Sequence, residues 1–517
     1  MTVEELIIFL RSWLPPPDPL GASIAGLGNA LSTLVAAKPE QFSSAAERFK
    51  CLDPTYVRSL LRGLWEAVRQ KRAIDWEKAL ALSRWVVDQP REILGRTGGL
   101  VDQDPDWGRT RKAIADLLAS GFESDAVPFE FRHQAWAVLG PLTADPDPTP
   151  EDESQSSPDY DPANYSINTI RGEAMHGVVG YARWTRRGIE KQPDASIRAA
   201  SGFDQMPEAR AVLDRHLDPH HEPSCAIRTV YGQWFPWLHI LDPSWAKESV
   251  PKIFPDDEAF KDLRDAAWKA YVVYCTPSDE MFELLHAEYG KAIDRIGASP
   301  QQKPERRPQD KRLAEHLVTL YLRGYLDLDD LNGLLARFFA KADLELRKSV
   351  IATIGISLQN ASDPVVPEIV ERLQKLWLRR LDTVRTAGLE PSQTEEIRDF
   401  GWWFGSKKLP DLWGIEQVFE VLKIAGSIEP DHLVVERLAE LAVSMPAKAV
   451  DCLAMIVEGD KDGWAVLSWR DHARALLAAT LHSADQTAHT RAVELINDFG
   501  RRGYPEFRDL LPANVMG

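Results

Sequence analysis

The sequence predicts an all-α protein, because amphipathic helices follow one another through most of its 517 residues. Apolar residues recur at helical spacing, as in the stripe Val57, Leu60, Leu61, Leu64, Trp65 and Val68. Helix starts carry capping residues, whereas the alternating runs that indicate β-strands are scarce. We therefore expect no substantial β-sheet.

Several helix starts are marked by their side chains. Thr2 with Glu5, and Ser44 with Glu47, fit the capping box, in which a hydroxyl and a carboxyl each accept a hydrogen bond from an unpaired backbone amide. The Asp53-Pro54 pair is another signature, since aspartate caps a helix and proline suits its first position. These signals predict helices that begin directly after Thr2, Ser44 and Asp53.

Short links between the helices favour antiparallel pairs, recurring about every 40 residues as in helical-repeat proteins. We expect a solenoid-like array of degenerate HEAT- or TPR-like pairs. Two proline-rich segments interrupt it. The predicted organisation is an N-terminal helical block at 1–142, an acidic, mobile linker at 143–166, a middle helical block at 167–297, an exposed loop at 298–311 and a C-terminal helical-repeat block at 312–517.

Charge and cysteine content narrow the class of protein. The net charge of −17 disfavours general attraction to nucleic acid or anionic lipid. The four cysteines form no CxxC pair, which favours a reducing compartment. No apolar stretch is long enough to span a bilayer, and the N-terminus lacks the basic region of a signal peptide. We expect a cytoplasmic protein that does not bind membranes.

Familiar catalytic motifs are missing from the sequence. It contains no GxxxxGK[ST], GxGxxG, GxSxG or HExxH pattern. Phosphate-binding loops need glycines for close backbone approach and a lysine followed by serine or threonine, so a nucleotide site is not predicted here. We lean towards a protein without its own catalytic activity and expect no cofactor.

A cluster of potential metal ligands supports an alternative hypothesis, a metal-dependent enzyme with a dispersed site. His216 and His220 are four residues apart, so on one helical face they would be able to coordinate Zn²⁺, and His221 and Cys225 are close in sequence. The Asp218-Pro219 pair interrupts that helix, so a polar turn between two helices is the other interpretation.

The helix expected after the acidic segment begins with polar residues. Glu173 and His176 form an ExxH pair, and Glu283 and His286 form a second. Two such pairs build carboxylate di-metal sites in four-helix bundles, but about one pair is expected by chance at this composition. We interpret Glu173, His176 and the nearby Arg171 as a polar helix start, with recognition of a partner as the alternative.

Mixed basic and aromatic patches raise a further alternative, a nucleic-acid-binding helical stack. Arginine and lysine contact phosphates while tryptophan stacks on bases. Two patches have this composition: Arg183, Trp184, Arg186 and Arg187, and Trp402, Trp403, Lys407 and Lys408.

Three stretches together resemble the helical C-terminal regions of large bacterial STAND-type and related anti-phage defence NTPases. They are Leu52–Val57, Tyr165–Ala174 and Phe400–Phe404, the last followed by the run Gly500–Tyr504. The resemblance covers most of the chain and implies a sensor or scaffold arm, while an NTPase and an effector perform the chemistry. This sequence departs from that plan because it has no NTPase module.

We therefore predict a non-catalytic helical scaffold or sensor that binds another macromolecule, with protein preferred to nucleic acid. The resemblance implies a role in bacterial anti-phage defence and an NTPase or effector encoded nearby as partner. Binding to an extended helical surface depends on a few arginine and aromatic anchors. The anchors predicted here are Arg171, Trp184, Trp402 and Trp403.

Overall fold

The structure, a computed structural model, describes residues 2–16, 21–96, 103–154, 160–192, 202–297, 308–388, 391–460 and 463–511. The chain divides into two compact units. Unit 1 comprises Met1–Cys275 and unit 2 comprises Thr276–Gly517. Within the described ranges, every helix is too short or too polar to cross a lipid bilayer.

Unit 1 is built from α-helices joined by short loops and 3₁₀ turns. Its helices are α1 (Val3–Ser12), α2 (Ile24–Ala37), α3 (Pro39–Ser44), α4 (Pro54–Arg69), α5 (Trp76–Asp88), α6 (Gly108–Glu123), α7 (Arg132–Leu142), α8 (Pro150–Ser154), α9 (Pro162–Asn168), α10 (Ile170–Glu190), α11 (Pro207–Leu217), α12 (Cys225–Leu241), α13 (Pro243–Ile253) and α14 (Lys261–Tyr274). The 3₁₀ helices are Ala46–Cys51, Phe129–Phe131, Gly202–Gln205 and Glu258–Phe260. In its interior α4 packs on α2 and α6, α6 packs on α10, and α12 packs on α14.

Unit 2 is also built from α-helices joined by short loops. Its helices are α15 (Asp279–Asp294), α16 (Pro308–Leu322), α17 (Leu334–Lys341), α18 (Leu344–Asn360), α19 (Pro367–Thr386), α20 (Pro391–Arg398), α21 (Phe400–Gly405), α22 (Asp411–Ala425), α23 (Asp431–Leu441), α24 (Pro446–Gly459), α25 (Val466–Leu481) and α26 (Gln486–Arg501), followed by a 3₁₀ helix at Pro505–Leu510. Apart from α19, the helices from α18 onwards form two rows. One row is α18, α21, α23 and α25, and the other is α20, α22, α24 and α26.

The predicted fold class is confirmed, because the described residues are predominantly helical and contain no strand. The two rows of unit 2 have the contact pattern that stacked helix pairs produce, since each helix meets the next member of its own row. A solenoid arrangement of the chain stays a prediction.

Local sequence explains where several helices begin. Thr2 and Glu5 form the expected capping box on α1, and Asp53 caps α4 by accepting a hydrogen bond from the Thr55 amide at 2.9 Å. The capping box expected at Ser44 is wrong. Ser44 ends α3, and its hydroxyl instead donates to the Glu40 carbonyl oxygen at 2.9 Å. The hydroxyl thus satisfies a helix end rather than a helix start.

The described parts of the acidic segment 143–166 make specific contacts within unit 1, and the mobility expected of this segment stays a prediction. Asp145 is buried and pairs with Arg91 at 2.8 Å and with Arg111 at 2.9 Å. Glu153 accepts hydrogen bonds from the first turn of α12, including one from the Cys225 amide at 2.9 Å. The carboxylates therefore serve as counterions and helix caps, which composition alone does not reveal. The boundary between the two compact units lies after Cys275.

Candidate functional site

A polar cleft of ≈ 570 Å³ lies in unit 1 where α4 faces α6. From α4 come Arg58, Arg62 and Trp65, which are spaced four and three residues apart. This spacing places them along one face of the helix. Leu61 and Leu64 of the same helix are fully buried. The burial of the apolar stripe therefore leaves the basic face of α4 turned towards the cleft.

The second wall comes from α6. Its residues Arg109, Lys112 and Asp116 are spaced three and four apart, so they also share one helical face. Gly108 begins the helix, and its amide donates a hydrogen bond of 2.7 Å to the Asp106 carboxylate. The N-terminal turns of α6 thus line the cleft and add the partial positive charge of the helix dipole.

Loops and the start of α10 close the remaining sides, through Arg91, Asp106, Asp147, Asn168 and Ile170. The Asp147 carboxylate accepts a hydrogen bond from the Ile170 amide at 2.9 Å, which fixes this loop to the start of α10. Burial raises the pKa of Asp147, although this hydrogen bond opposes the increase. We call the whole lining the cationic cleft.

Cationic side chains outnumber carboxylates in the lining of the cationic cleft, by five to three. Four of the five cations also pair with Asp104, Asp145 or Glu173, which lie outside the lining. The cations are Arg58, Arg62, Arg91, Arg109 and Lys112, and the carboxylates are Asp106, Asp116 and Asp147. Among the described contacts, Arg62 is the lining cation without an ion pair, and an unpaired cation favours binding of an anion.

The arginines differ in how far the protein itself neutralises them. Arg58 donates from Nε to buried Asp104 at 2.7 Å, and Arg109 contacts the other oxygen of this carboxylate at 3.3 Å. Arg62 is exposed and forms no hydrogen bond or ion pair with any described residue. Its charge nevertheless acts on Asp116, whose pKa it helps to hold down against the effect of burial. Arg62 therefore offers its guanidinium group to a ligand.

A half-buried cluster of charged side chains surrounds Lys112. The ammonium group forms ion pairs with Asp116, one turn further along α6, and with Glu173 of α10 at 3.7 Å. Burial raises the pKa of Glu173 to about 7; the Lys112 charge opposes this shift, and the charge of Asp116 adds to it. Two carboxylates thus share one ammonium group at the wall of the cleft, and Glu173 changes its charge near neutral pH.

His176 lies one turn beyond Glu173 and resembles a catalytic base beside a serine. Its Nε2 lies 2.8 Å from Ser166 Oγ, and its Nδ1 accepts a hydrogen bond from Trp234 Nε1 at 2.8 Å. Because Nδ1 accepts, the proton of the neutral ring is on Nε2, which donates to Ser166. The hydroxyl in turn donates to the Ala163 carbonyl oxygen at 2.7 Å. His176 therefore cannot deprotonate Ser166.

Burial also lowers the pKa of His176 to about 4, with the Lys112 charge as a second cause. The neutral ring is thus the stable form at physiological pH. His176, Ser166 and Trp234 form a satisfied interior network, and its role is structural.

Arg171, one of the predicted partner contacts, is held inside unit 1. It pairs with Glu222 at 2.9 Å and donates to the carbonyl oxygens of Asp145 and Pro148, each at 2.6 Å. His216 Nδ1 donates to the same Glu222 carboxylate at 2.8 Å. Burial alone would raise the pKa of Glu222, but the His216 hydrogen bond and the Arg171 charge outweigh it and lower the pKa. These contacts tie the loop at residues 145–148 to the turn before α12.

The structure does not gather the four predicted metal ligands into a site. His216 is engaged with Glu222, His221 accepts a hydrogen bond from Arg215, and His220 packs edge-on against Phe260. Across the described ranges, no group of three or more His, Cys, Asp or Glu side chains is arranged to hold a metal ion. The interpretation of this segment as a polar turn accounts for the observed contacts.

The three predicted tryptophan contacts lie largely in the interior. Trp184 donates to the Val127 carbonyl oxygen at 3.2 Å, and Trp403 donates to that of Ile351 at 2.8 Å. Both are buried, with exposed fractions of 3% and 0%, while Trp402 is half-buried. The structure thus gives Trp184 and Trp403 a packing role. Their contact with a partner stays a prediction.

The two basic-aromatic patches suggested for nucleic acid are largely paired within the chain. Arg186 pairs with Glu190 and Arg187 with Asp125, while Arg183 stacks on Trp237 at 3.9 Å from the ring centroid. In the second patch, Lys407 pairs with Glu440, and Lys408 donates to the Asp363 carbonyl oxygen at 2.9 Å.

Unit 2 has a larger groove, of ≈ 650 Å³, but its chemistry is different. Apolar side chains of α16, α18 and α19 line much of it, among them Val318, Val350, Ile354 and Leu373. A mainly apolar wall carries little information about a ligand, so we base the functional argument on the cationic cleft.

Sequence reasoning missed Arg58, Arg62, Arg109 and Lys112. The available signal was spacing, since each pair lies three or four residues apart on a helix whose other face is apolar. What the sequence did not provide was the packing of α4 on α6, which brings the two basic faces together.

The fold and the cleft together define the class as an all-α protein with a cleft lined by cationic side chains in unit 1. Comparison with known proteins adds no narrower class. No family model matches the sequence, and no curated protein is significantly similar to it.

Proposed function

We propose that this chain is a non-catalytic helical recognition protein that binds another protein, and that the cationic cleft holds an anionic group of that partner. The observation that carries the proposal is Arg62, an exposed arginine without an ion pair in the described part of the chain, in a cleft lined by four further cations. Charged arginine is a frequent anchor in recognition surfaces, since its planar group binds carboxylates and phosphates through paired hydrogen bonds.

A binding role agrees better with the site than catalysis does. In the serine–histidine pair described above, His176 donates a proton to Ser166, and the Ser166 hydroxyl donates to a backbone carbonyl oxygen. A serine nucleophile needs the opposite, a histidine nitrogen that accepts the hydroxyl proton. The resemblance to scaffold arms of bacterial defence NTPases is in keeping with a recognition role. A place in anti-phage defence belongs to this proposal only through that resemblance.

The experiment measures fluorescence anisotropy of a labelled glutamate-rich decapeptide mixed with the full chain. We expect saturable binding that weakens with added salt, and roughly tenfold weaker binding by Arg62→Glu, because reversal turns attraction into repulsion. The matched control is Lys247→Glu, which makes the same charge change at an exposed lysine outside the cleft. Equal loss in both variants would contradict the cleft as the site.

A labelled single-stranded oligonucleotide of ten nucleotides serves as the second probe. If it binds more tightly than the peptide, with a steep salt dependence, the nucleic-acid alternative replaces the present proposal.

A further inference from the structure

The cationic cleft has spare hydrogen-bond donors of one particular kind. Arg62 is uncommitted within the described residues, and Arg109 has a single ion pair of 3.3 Å while 62% of its side chain is exposed. Arg58 uses Nε for Asp104, so its two terminal nitrogens face no carboxylate in the described contacts. Converging guanidinium groups suit a tetrahedral oxyanion, which accepts several paired hydrogen bonds at once.

The charge of the ligand also distinguishes a phosphate from a carboxylate. A phosphate monoester approaches two negative charges at neutral pH, so exposed Arg62 and Arg109 should attract it more strongly than a carboxylate, which carries only one. The N-terminal turn of α6, with Gly108 and Arg109, contributes its dipole in the same direction.

The carboxylates of the cleft disfavour a long polyanion. Asp106, Asp116 and Asp147 share the lining with the cations, so further phosphates of a nucleic-acid strand would meet negative charge. The volume of ≈ 570 Å³ is in the range of pockets that hold a small molecule or a short segment of a partner, rather than a long strand. A single phosphate on a protein side chain avoids that repulsion.

We infer that the cationic cleft binds the phosphate monoester of a phosphorylated side chain on the partner, with Arg62 and Arg109 as the principal contacts. This inference rests on the proposed function and adds the chemical class of the ligand. Because a phosphate group carries more negative charge than the unmodified side chain, partner binding is stronger after phosphorylation.

Three labelled decapeptides test the inference; they are identical except for phosphoserine, glutamate or serine at the centre. We expect the full chain to bind the phosphoserine peptide about tenfold more tightly than the glutamate peptide, and the serine peptide more weakly still. Millimolar inorganic phosphate should displace the phosphoserine peptide.

Two variants separate charge from geometry. Arg62→Lys keeps the charge but removes the paired donors, so it should weaken the phosphoserine complex several-fold while changing the glutamate complex little. Arg109→Ala should weaken the phosphoserine complex as well, and Lys247→Glu should leave it unchanged. Circular dichroism melts of each variant establish that the fold is retained, and Arg62→Lys serves as the decisive variant if Arg109→Ala unfolds.

The outcomes are distinguishable. Equal affinity for the phosphoserine and glutamate peptides, with both dependent on Arg62, would overturn the phosphate inference and leave the proposed function standing. Tight phosphoserine binding that Arg62→Lys does not affect would overturn the assignment to this cleft. Binding of phosphoserine and inorganic phosphate without any binding of the glutamate peptide would support the inference and contradict recognition of acidic groups in general.

Discussion

At the scale of single residues, unit 1 places ionisable groups in surroundings that oppose their charge. Glu173 shares Lys112 with Asp116, and His176 has both ring nitrogens engaged by Ser166 and Trp234. Burial is the leading cause of the altered pKa in both cases. Desolvation penalises the charged form of each group, so these side chains affect stability in a pH-dependent way.

The first prediction concerns Glu173→Gln. The folded-state pKa of about 7 lies above the ordinary value of 4.5, so the cost of charging Glu173 is absent at low pH, grows as pH rises from 4.5 to about 7, and is fully present above that. Each pKa unit corresponds to about 1.4 kcal/mol, so the cost is on the order of 3 kcal/mol above pH 7. Glutamine avoids it. Urea unfolding should therefore show that the variant gains stability over the wild type between pH 5 and pH 8.

Glu92→Gln is the control for this experiment, since Glu92 is an exposed carboxylate of the same unit. A gain by Glu173→Gln that is the same at pH 5 and at pH 8 would mean that charging of Glu173 is not its cause.

The second prediction concerns His176→Ala. The change removes the donor to Ser166 and the acceptor for Trp234, and it leaves a cavity in a buried site. We expect a loss of about 2–4 kcal/mol in the free energy of unfolding. His133→Ala, at an exposed histidine of the same unit, should cost much less. If a fluorophosphonate probe labelled Ser166, the structural role assigned to this pair would be wrong.

At the scale of elements, close packing depends on particular glycines. In α12, Gly232 lies against α14 so tightly that a Cβ at this position would overlap the Ala267 carbonyl oxygen. In α10, a Cβ at Gly180 would have Phe122 Cβ as its nearest neighbour, at 3.8 Å, an ordinary contact distance. Both glycines are in helices, where alanine is intrinsically favoured by about 0.5–1 kcal/mol.

The third prediction uses this contrast. Gly232→Ala should destabilise the protein by roughly 3 kcal/mol, because the two helix backbones must move apart. Gly180→Ala should be neutral or slightly stabilising, since helix propensity acts without a clash. Thermal unfolding followed by circular dichroism compares the two variants directly. Similar melting temperatures for both would show that α12 and α14 do not pack as closely as described.

At the scale of the whole molecule, the chain consists of two compact units that meet in sequence between Cys275 and Thr276. Each has its own buried residues, such as Leu61 and Tyr231 in unit 1 and Trp377 and Trp403 in unit 2. A unit with its own core is expected to fold independently.

The fourth prediction follows from this division. Residues 1–275 and residues 276–517, expressed separately, should each give a helical circular dichroism spectrum and a cooperative melt. The first piece should retain anion binding, since the described lining of the cationic cleft belongs entirely to unit 1. A piece that stays unfolded on its own would show that its core depends on residues across the boundary.

The sequence by itself determined the fold class and many local features. Helical periodicity requires only the order of apolar residues along the chain, and caps such as Asp53 at α4 act over two or three residues. The resulting all-α prediction is therefore confirmed. The expectation at Ser44 was wrong because a hydroxyl is equally able to serve a helix end, and the local sequence does not decide between the two.

Only the tertiary structure decided which charged residues meet. Arg62 and Lys112 are fifty residues apart in the chain, and their approach depends on the packing of α4 against α6. Helix packing also buries Trp184 and Trp403, which we had predicted as anchors for a partner. It likewise brings Asp145 into ion pairs with two arginines. Side-chain periodicity in the sequence specifies which face of each helix is apolar. Long-range contacts decide which face of a neighbouring helix it packs against.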